Sequence, residues 1–234
     1  MRENLVIILA GGTGSRLGDE TPKQFLKIAD KSIVESTIEK FEFHHMIDHI
    51  FIVTNPEYYD QTSEIINIRD FKKVKKVLKG GKTRQESSRI GVFSAGNDYI
   101  NVLIHDVVRP FISKEIIENV LKKLDIYSAV NVAIHSNDTI IEIDEKNLVK
   151  KILDRKFLRR VQTPQAFKLS LIQKAHKLAI ENNIENATDD CYLVLKFKLS
   201  DIYVINGSEF NIKITHPVDI NIAREIIKNK KKRV

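Results

Sequence analysis

Residues 5–10, LVIILA, are apolar without interruption, and the chain then turns on Gly11-Gly12. A strand with one face in water alternates; one that is apolar throughout has to be covered on both faces, as inside a largely parallel sheet. Further strand candidates are HIFIVTN (49–55), VKKVL (74–78), NVLIHD (101–106), AVNVAI (129–134), DIYVIN (201–206) and NIKIT (211–215), several of them apolar almost throughout. Helical patterns separate them. SIVE (32–35) and TRQE (83–86) fit capping boxes, and Asn55-Pro56 fits a cap followed by proline at the first helical position. SKEIIENVLKKL (113–124) and DINIAREII (219–227) carry apolar residues at three- and four-residue spacing. This alternation predicts one three-layer α/β domain over residues 1–234, a mostly parallel sheet flanked by helices.

One stretch departs from the pattern. SNDTIIEIDEKNLVKKILDRKF reads as two alternating strands about a turn at 144–147, a β-arm inserted at about 135–158 and polar on one face. No internal repeat, proline-rich linker or low-complexity segment suggests a domain boundary.

Composition narrows the function classes. The formal net charge is +7, and part of the excess lies in the terminal KNKKKRV, which reads as a solvated end. Basic charge suits anionic small substrates as well as polynucleotide. There is no tryptophan, aromatics are 7%, and no stretch interleaves aromatic with basic residues, so a nucleic-acid binder is disfavoured. Cys191 is the lone cysteine, read as core packing, and rules out an internal disulfide or cysteine-based metal cluster. His44-His45 reads as a solvated pair at a helix end. The opening apolar run is short for a signal peptide, and no run reaches the ~20 residues of a membrane span, so a soluble, cytoplasmic protein without membrane partners is expected.

Ligands of open parallel sheets gather at the carboxyl ends of strands. Glycines after the first strand let backbone amides approach phosphate oxygens, and Arg16 and Lys23 supply full charges just beyond. The generic nucleotide motifs do not fit: Ser15-Arg16-Leu17 follows Gly14 where a Walker loop needs Gly-Lys-Ser/Thr, and the dinucleotide pattern needs a glycine at Leu17. IHDVVRPF (104–111) brings His105, Asp106 and Arg109 to another strand end, where the aspartate suits a metal ion or sugar hydroxyl and the arginine a phosphate; a plain Asp106–Arg109 ion pair is the alternative. RRVQTPQAF (159–167) and NATDDCY (186–192) add polar groups, with Thr188, Asp189 and Asp190 equally readable as a helix cap and acidic first turn. Lys213, inside what reads as an apolar strand, calls for an anionic partner.

In order, LAGGTGSR…PKQF, GGKTRQES, HDVVRPF, DTI, QTPQAF, TDD and NIKIT…D resemble the CTP-dependent cytidylyltransferases of small polyol phosphates, over about residues 4–224. The resemblance implies a Rossmann-like nucleotidyltransferase domain with a projecting β-arm, and a homodimer in which arms exchange. It implies transfer of CMP from CTP to a polyol phosphate with release of pyrophosphate, assisted by Mg²⁺. By motif, Ala10, Gly11, Gly12, Gly14 and Arg16 line the triphosphate site, with Arg16, Lys23 and Lys213 as its catalytic cations. Gly81, Arg84 and Ser87 match the segment beside cytosine and ribose; Asp106, Arg109 and Thr163 match the polyol-phosphate side, with Asp106 also toward the metal. Thr139 and Arg155 match arm positions that reach the polyol phosphate across the dimer.

Two branches compete for the acceptor. LAGG, DTIIE with Ile141-Glu142 where a basic residue is usual in the other branch, SEFNIKIT and QTPQAF resemble the D-ribitol 5-phosphate enzymes of teichoic-acid and capsule synthesis. RQES and TDD resemble the 2-C-methyl-D-erythritol 4-phosphate enzymes of isoprenoid synthesis, and the Arg16–Pro22 spacing is one residue shorter than is common in the ribitol branch. D-ribitol 5-phosphate is the expected acceptor. A guanylyltransferase of the molybdenum-cofactor type shares the LAGG opening, but PKQF and QTPQ are foreign to it.

Overall fold

The structure is a computed structural model of the chain in which residues 3–12, 22–97 and 101–231 are described. In chain order the strands are β1 (Asn4–Ala10), β2 (Lys27–Ile28), β3 (Lys31–Ser32), β4 (His49–Thr54), β5 (Val74–Lys79), β6 (Asn101–Asp106), β7 (Ala129–His135), β8 (Ile141–Ile143), β9 (Val149–Ile152), β10 (Arg159–Lys168) and β11 (Tyr203–Asn206). The helices are α1 (Ile33–Glu42), α2 (Tyr59–Arg69), α3 (Arg84–Ser94), α4 (Lys114–Leu124), α5 (Leu169–Glu181), α6 (Asp190–Lys196) and α7 (Pro217–Lys231).

Seven strands form one sheet in the order β11-β7-β10-β6-β1-β4-β5. Its pairings are parallel except for β10, which runs antiparallel to both neighbours. Along β1 alternate residues enter opposite layers. Val6, Ile8 and Ala10 pack with Val34 and Ile38 of α1 and Val120 and Leu124 of α4. Leu5, Ile7 and Leu9 pack with Val92 of α3, Ile172 and Ala175 of α5 and Val194 of α6. Cys191 belongs to this second layer. Burial on both faces is why the strand is apolar throughout. At the sheet's edge, β5 turns exposed Lys75, Lys76 and Lys79 outward, charges that discourage pairing with another chain.

Local signals start most helices where expected. Ser32 and Glu35 form a reciprocal capping box, and Asn55 accepts from the Glu57 amide with Pro56 beginning a 3-10 turn. TRQE is only half a box: Thr83 accepts from the Glu86 amide, but the Glu86 carboxylate takes the amide of Lys82.

One strand expectation fails, and one strand of the sheet was not among the candidates. Residues 211–215 form no strand; Ile214 makes one backbone bond, to the carbonyl of Val108 at 2.9 Å, and the Thr215 amide goes to the Asp219 carboxylate at 2.7 Å. The segment RRVQTPQAF, singled out from sequence for its polar groups and absent from the strand candidates, makes up most of β10 in mid-sheet. Pro164, which has no amide to donate, falls in the register shift between Gln162 and Gln165, where the ladder is interrupted.

β8 and β9 form a separate two-stranded hairpin, with Asp144 Oδ1 accepting the amides of Lys146 and Leu148 at the turn. Among the described residues no helix is long and apolar enough to cross a membrane.

Candidate active site

A cleft of about 450 Å³ opens where β1, β5 and β6 end. Gly11 and Gly12 line it after β1, Gly81 and Lys82 after β5, and Asp106 at the last position of β6. Arg84 and Ser87 enter from the first turn of α3, Lys23 from a 3-10 turn, and Lys213 from the irregular segment before α7. A Cβ on Gly12 would meet nothing within 4 Å, so its backbone faces open space. A Cβ on Gly80 would lie 2.8 Å from Ser87 Oγ and 3.1 Å from the Thr54 carbonyl, so this turn is drawn tightly between β4 and α3. Ser87 Oγ accepts the Gly81 amide at 3.2 Å, so that hydroxyl shapes the loop.

Asp106 organises the cleft. Its Oδ1 accepts from Arg84 Nε at 3.3 Å, and its Oδ2 lies 2.7 Å from Lys213 Nζ. Burial alone would raise the pKa of this carboxyl, which is 7% exposed; Arg84, Lys213 and Arg109 outweigh burial and hold it well below the usual carboxylate range. The guanidinium of Arg84 reaches a second buried carboxylate through Nη1, which donates to Asp190 Oδ2 at 2.8 Å. Burial opposes the charge on Arg84, and the two carboxylates reverse that effect, so its pKa is raised. Lys23 Nζ donates to the Thr215 carbonyl at 3.2 Å, against the loop that Asp219 fastens through three hydrogen bonds.

Behind Asp106 lies a neutral support. The Thr163 hydroxyl accepts the Asp106 amide at 3.1 Å and lies 3.1 Å from His105 Nδ1, while His105 Nε2 lies 3.1 Å from the Arg109 carbonyl. A carbonyl can only accept, so Nε2 carries the proton and Nδ1 takes the threonine hydrogen. Burial depresses the His105 pKa to about 4, partly opposed by the Arg109 carbonyl and Asp106, so the ring is neutral at physiological pH.

Eight of the residues selected from sequence therefore line one cleft: Gly11, Gly12, Lys23, Gly81, Arg84, Ser87, Asp106 and Lys213. Ala10 is buried beneath it, its carbonyl accepting from Gln24 Nε2 at 3.4 Å. Gly14 and Arg16 lie outside the described residues. Arg109 does not line the cleft: it is buried and donates to the carbonyls of Asn211 at 2.8 Å and Val161 at 3.4 Å. The Asp106 carboxylate turns to Arg84 and Lys213 for its hydrogen-bonded pairs, so the simple Asp106–Arg109 bridge is not formed. Thr163 acts through the Asp106 amide from behind. Thr139 is exposed at the approach to the hairpin, and Arg155 follows it beside a shallow groove with His135 and Asp154.

Sequence reasoning missed Lys82, Gln85 and Ser88. Gln85 clamps the chain before α6, donating to the Ile184 carbonyl and accepting the Ala187 amide at 2.7 Å. Their signal was position: Lys82 and Gln85 lie within GGKTRQES, already singled out, and Ser88 directly follows it. Asp189 is the cap of α6, accepting from the Tyr192 amide, whereas Asp190 turns inward.

Among the described residues Asp106 is the one carboxylate lining the cleft, and both its oxygens face cations. This donor set suits a hard cation that arrives on phosphate oxygens and is held by a single carboxylate, as Mg²⁺ commonly is. A His44–His45–Glu118 cluster elsewhere is a poor metal site. His44 is buried rather than solvated, its Nδ1 accepts the Met46 amide at 3.2 Å, and its Nε2 lies 3.3 Å from the Lys114 carbonyl, which leaves it no lone pair to give.

Residues 4–229 match the family model described as IspD, 2-C-methyl-D-erythritol 4-phosphate cytidylyltransferase. The chain is 40% identical over 232 residues to the bifunctional ribulose 5-phosphate reductase/CDP-ribitol pyrophosphorylase Bcs1 of Haemophilus influenzae, covering 97% of this chain and 49% of that one. It thus spans about half the length of that relative. It is also 40% identical over 228 residues to the 2-C-methyl-D-erythritol 4-phosphate cytidylyltransferase of Clostridium tetani, covering 97% and 92% of the two chains. The crystal structure of 4-diphosphocytidyl-2C-methyl-D-erythritol synthase from Anaerococcus prevotii superposes with a TM-score of 0.86 at 28% identity, over 97% of this chain and 96% of that one.

Proposed function

The chain belongs to the IspD cytidylyltransferase family, and from that premise we propose that it transfers CMP from CTP to D-ribitol 5-phosphate, releasing pyrophosphate. The observation that carries this reading is a cleft lined by Lys23, Lys82, Arg84 and Lys213, with Asp106 as its one carboxylate among the described residues. Two polyanions that must be brought together need such an excess of cations.

A phosphate oxygen of the acceptor attacks the α-phosphorus of CTP in line; the new P–O bond forms as the bond to the bridging oxygen of pyrophosphate breaks. The nucleophile is already an anion, so no general base is required. The protein's work is positioning and stabilisation of charge on the five-coordinate phosphorus. Lys23 and Lys213 supply charge beside Thr215, and the sequence motif assigns the same role to Arg16, which lies outside the described residues. The amides after β1 receive the triphosphate, with Gly81, Arg84 and Ser87 toward the nucleoside. Asp106 would hold a Mg²⁺ ion arriving with the nucleotide, and the ion would supply neutralising charge there. Thr163 supports the acceptor side by accepting the Asp106 amide, and the Arg109 amide closes the turn on the Asp106 carbonyl while its guanidinium ties in Asn211.

The hairpin completes the reading. Ile141, Ile143, Val149, Ile152 and Phe157 are exposed, and an isolated two-stranded hairpin is marginal in water. A homodimer in which arms exchange would cover these residues and carry Thr139 and Arg155 to the partner's cleft.

For the acceptor, the LAGG opening, DTIIE and the Haemophilus relative support D-ribitol 5-phosphate. The family description and the Clostridium relative favour 2-C-methyl-D-erythritol 4-phosphate. Glu142 pairs with Lys150 across the hairpin at 2.7 Å, a structural occupation that weakens its use as a marker of acceptor. Phosphate release in a pyrophosphatase-coupled assay with CTP and each acceptor in parallel tests the proposal. Turnover with the ribitol phosphate alone supports it; turnover with the methylerythritol phosphate alone replaces the acceptor and leaves the chemistry intact.

A further inference from the structure

Asp190, the first residue of α6, does not line the cleft and takes no part in the transfer described above. Yet its carboxylate is only 1% exposed, and a charge so enclosed is costly unless every partner is in place. Arg84 Nη1 donates to Oδ2 at 2.8 Å, the Ser88 hydroxyl donates to Oδ1, and His176 Nε2 lies 3.3 Å from Oδ1. The Asp190 amide is itself fixed by Gln165 Oε1 at 3.0 Å, from the central strand β10. The main chain of Asp190 is thus fixed from the sheet, and its carboxylate is held from α3 with His176 of α5 beside it.

Arg84 spans the distance from this buried anchor to the cleft. Its Nε addresses Asp106 Oδ1 at 3.3 Å while Nη1 addresses Asp190. A guanidinium is planar, so two partners on two of its nitrogens define both its place and its plane. With the Asp190 contact removed, the fork is free to turn and take both oxygens of Asp106, which would withdraw that carboxylate from Lys213.

We propose that Asp190 is a positioning residue for nucleotidyl transfer, acting through Arg84 by holding its guanidinium in the plane that serves both Asp106 and the nucleotide. This rests on the reading of Arg84 as a nucleotide-binding residue. Burial would raise the Asp190 pKa; Arg84, His176 and Ser88 outweigh it, so the anchor is a carboxylate throughout the physiological range.

The test is a double-mutant cycle on kcat/KM for CTP with Asp190→Asn, Arg84→Gln and the pair, accompanied by melting curves. Asp190→Asn keeps the shape of the side chain and is expected to lower kcat/KM for CTP about 10–100-fold, the scale of a misplaced binding group, while KM for the polyol phosphate moves less than about threefold. In the Arg84→Gln background the same change is expected to cost less than about twofold. An equal loss in both backgrounds, or no loss with Arg84 present, overturns the proposal. If Arg84→Gln alone leaves kcat/KM unchanged, the assignment of Arg84 fails, and the positioning role fails with it; loss with Arg84→Gln beside an additive Asp190→Asn overturns the positioning role alone. Should Asp190→Asn fail to fold, Ser88→Ala loosens the same carboxylate and is expected to give a roughly 3–10-fold loss that disappears with Arg84→Gln; a loss that persists there overturns the proposal.

Discussion

The cleft around Asp106 and the hairpin from Ile141 to Ile152 both carry, or lie beside, residues assigned to the reaction, yet their surroundings differ. Asp106 is held by Arg84, Lys213 and the Thr163 hydroxyl, and behind it His105 and Arg109 are themselves engaged. On the hairpin every strand residue is exposed, and Ile152 and Phe157 are 66% and 76% exposed. The cleft is thus over-determined by contacts within one chain. The hairpin presents apolar surface that no described residue of the chain covers, so its geometry gains meaning from a second surface. Substitutions in the first region should act on chemistry and folding, and those in the second on assembly.

The largest expected effects lie in the cleft. Lys23→Ala should lower kcat about 10²–10³-fold, the usual scale for loss of one charge stabiliser, with little change in melting temperature. Lys213→Ala should lose a similar factor and also leave Asp106 with Arg84 as its one hydrogen-bonded cation. Near-wild-type turnover in either variant would remove that lysine from the mechanism.

On the arm, Arg155→Ala should cost about 10–100-fold in kcat/KM for the polyol phosphate while KM for CTP stays within about twofold, measured with each substrate varied. Ile152→Asp should shift the sedimentation profile from dimer to monomer without lowering the melting temperature of the monomer. A monomeric wild-type chain with full activity would break the comparison, because the arm would then have no surface to serve.

A smaller effect reads the enclosed region through pH. The folded chain refuses a proton on His105 down to about pH 4, whereas the unfolded chain accepts it near 6.5. Its stabilising contribution is therefore complete above about pH 6.5 and is lost as pH falls toward 4, by about 3 kcal/mol from this group. His44, whose pKa burial also lowers, acts with the same sign. The depressed carboxyls of Asp106 and Asp190 contribute stability that is present above their ordinary value of 3.8 and lost only below it. Urea unfolding at successive pH values should show this limb, and His105→Gln should flatten it. The smallest change is expected from Lys150→Ala, which removes an exposed pair with Glu142 and should alter stability by less than about 0.5 kcal/mol.

Much of this was legible in the sequence, because strand burial and helix starts leave local marks. LVIILA announced a strand buried on both faces, and Ser32 with Glu35 announced the start of α1. The failures are local patterns overruled from a distance. Ile212 and Ile214 alternate as a strand would, yet Asn211, Ile214 and Thr215 spend their hydrogen bonds on β10, on Val108 and on Asp219. Pro164 lacks the amide that a mid-sheet ladder uses, and the register shift of β10 accommodates it. Glu86 had two amides within reach and took that of Lys82.

By itself, then, the sequence determined the alternation of strands and helices, the Rossmann-like nucleotidyltransferase fold that the alternation and motifs pointed to, and the cations that gather at strand ends. Periodicity, caps and glycine turns act over a few residues, so they can be read in order. Only the tertiary structure decided that Asp106 answers to Arg84 and Lys213 rather than to Arg109, and that Arg84 is held from behind by Asp190. Those pairs depend on which strands lie side by side and on what each buried charge finds within reach, and a charge chooses its partner by distance in space.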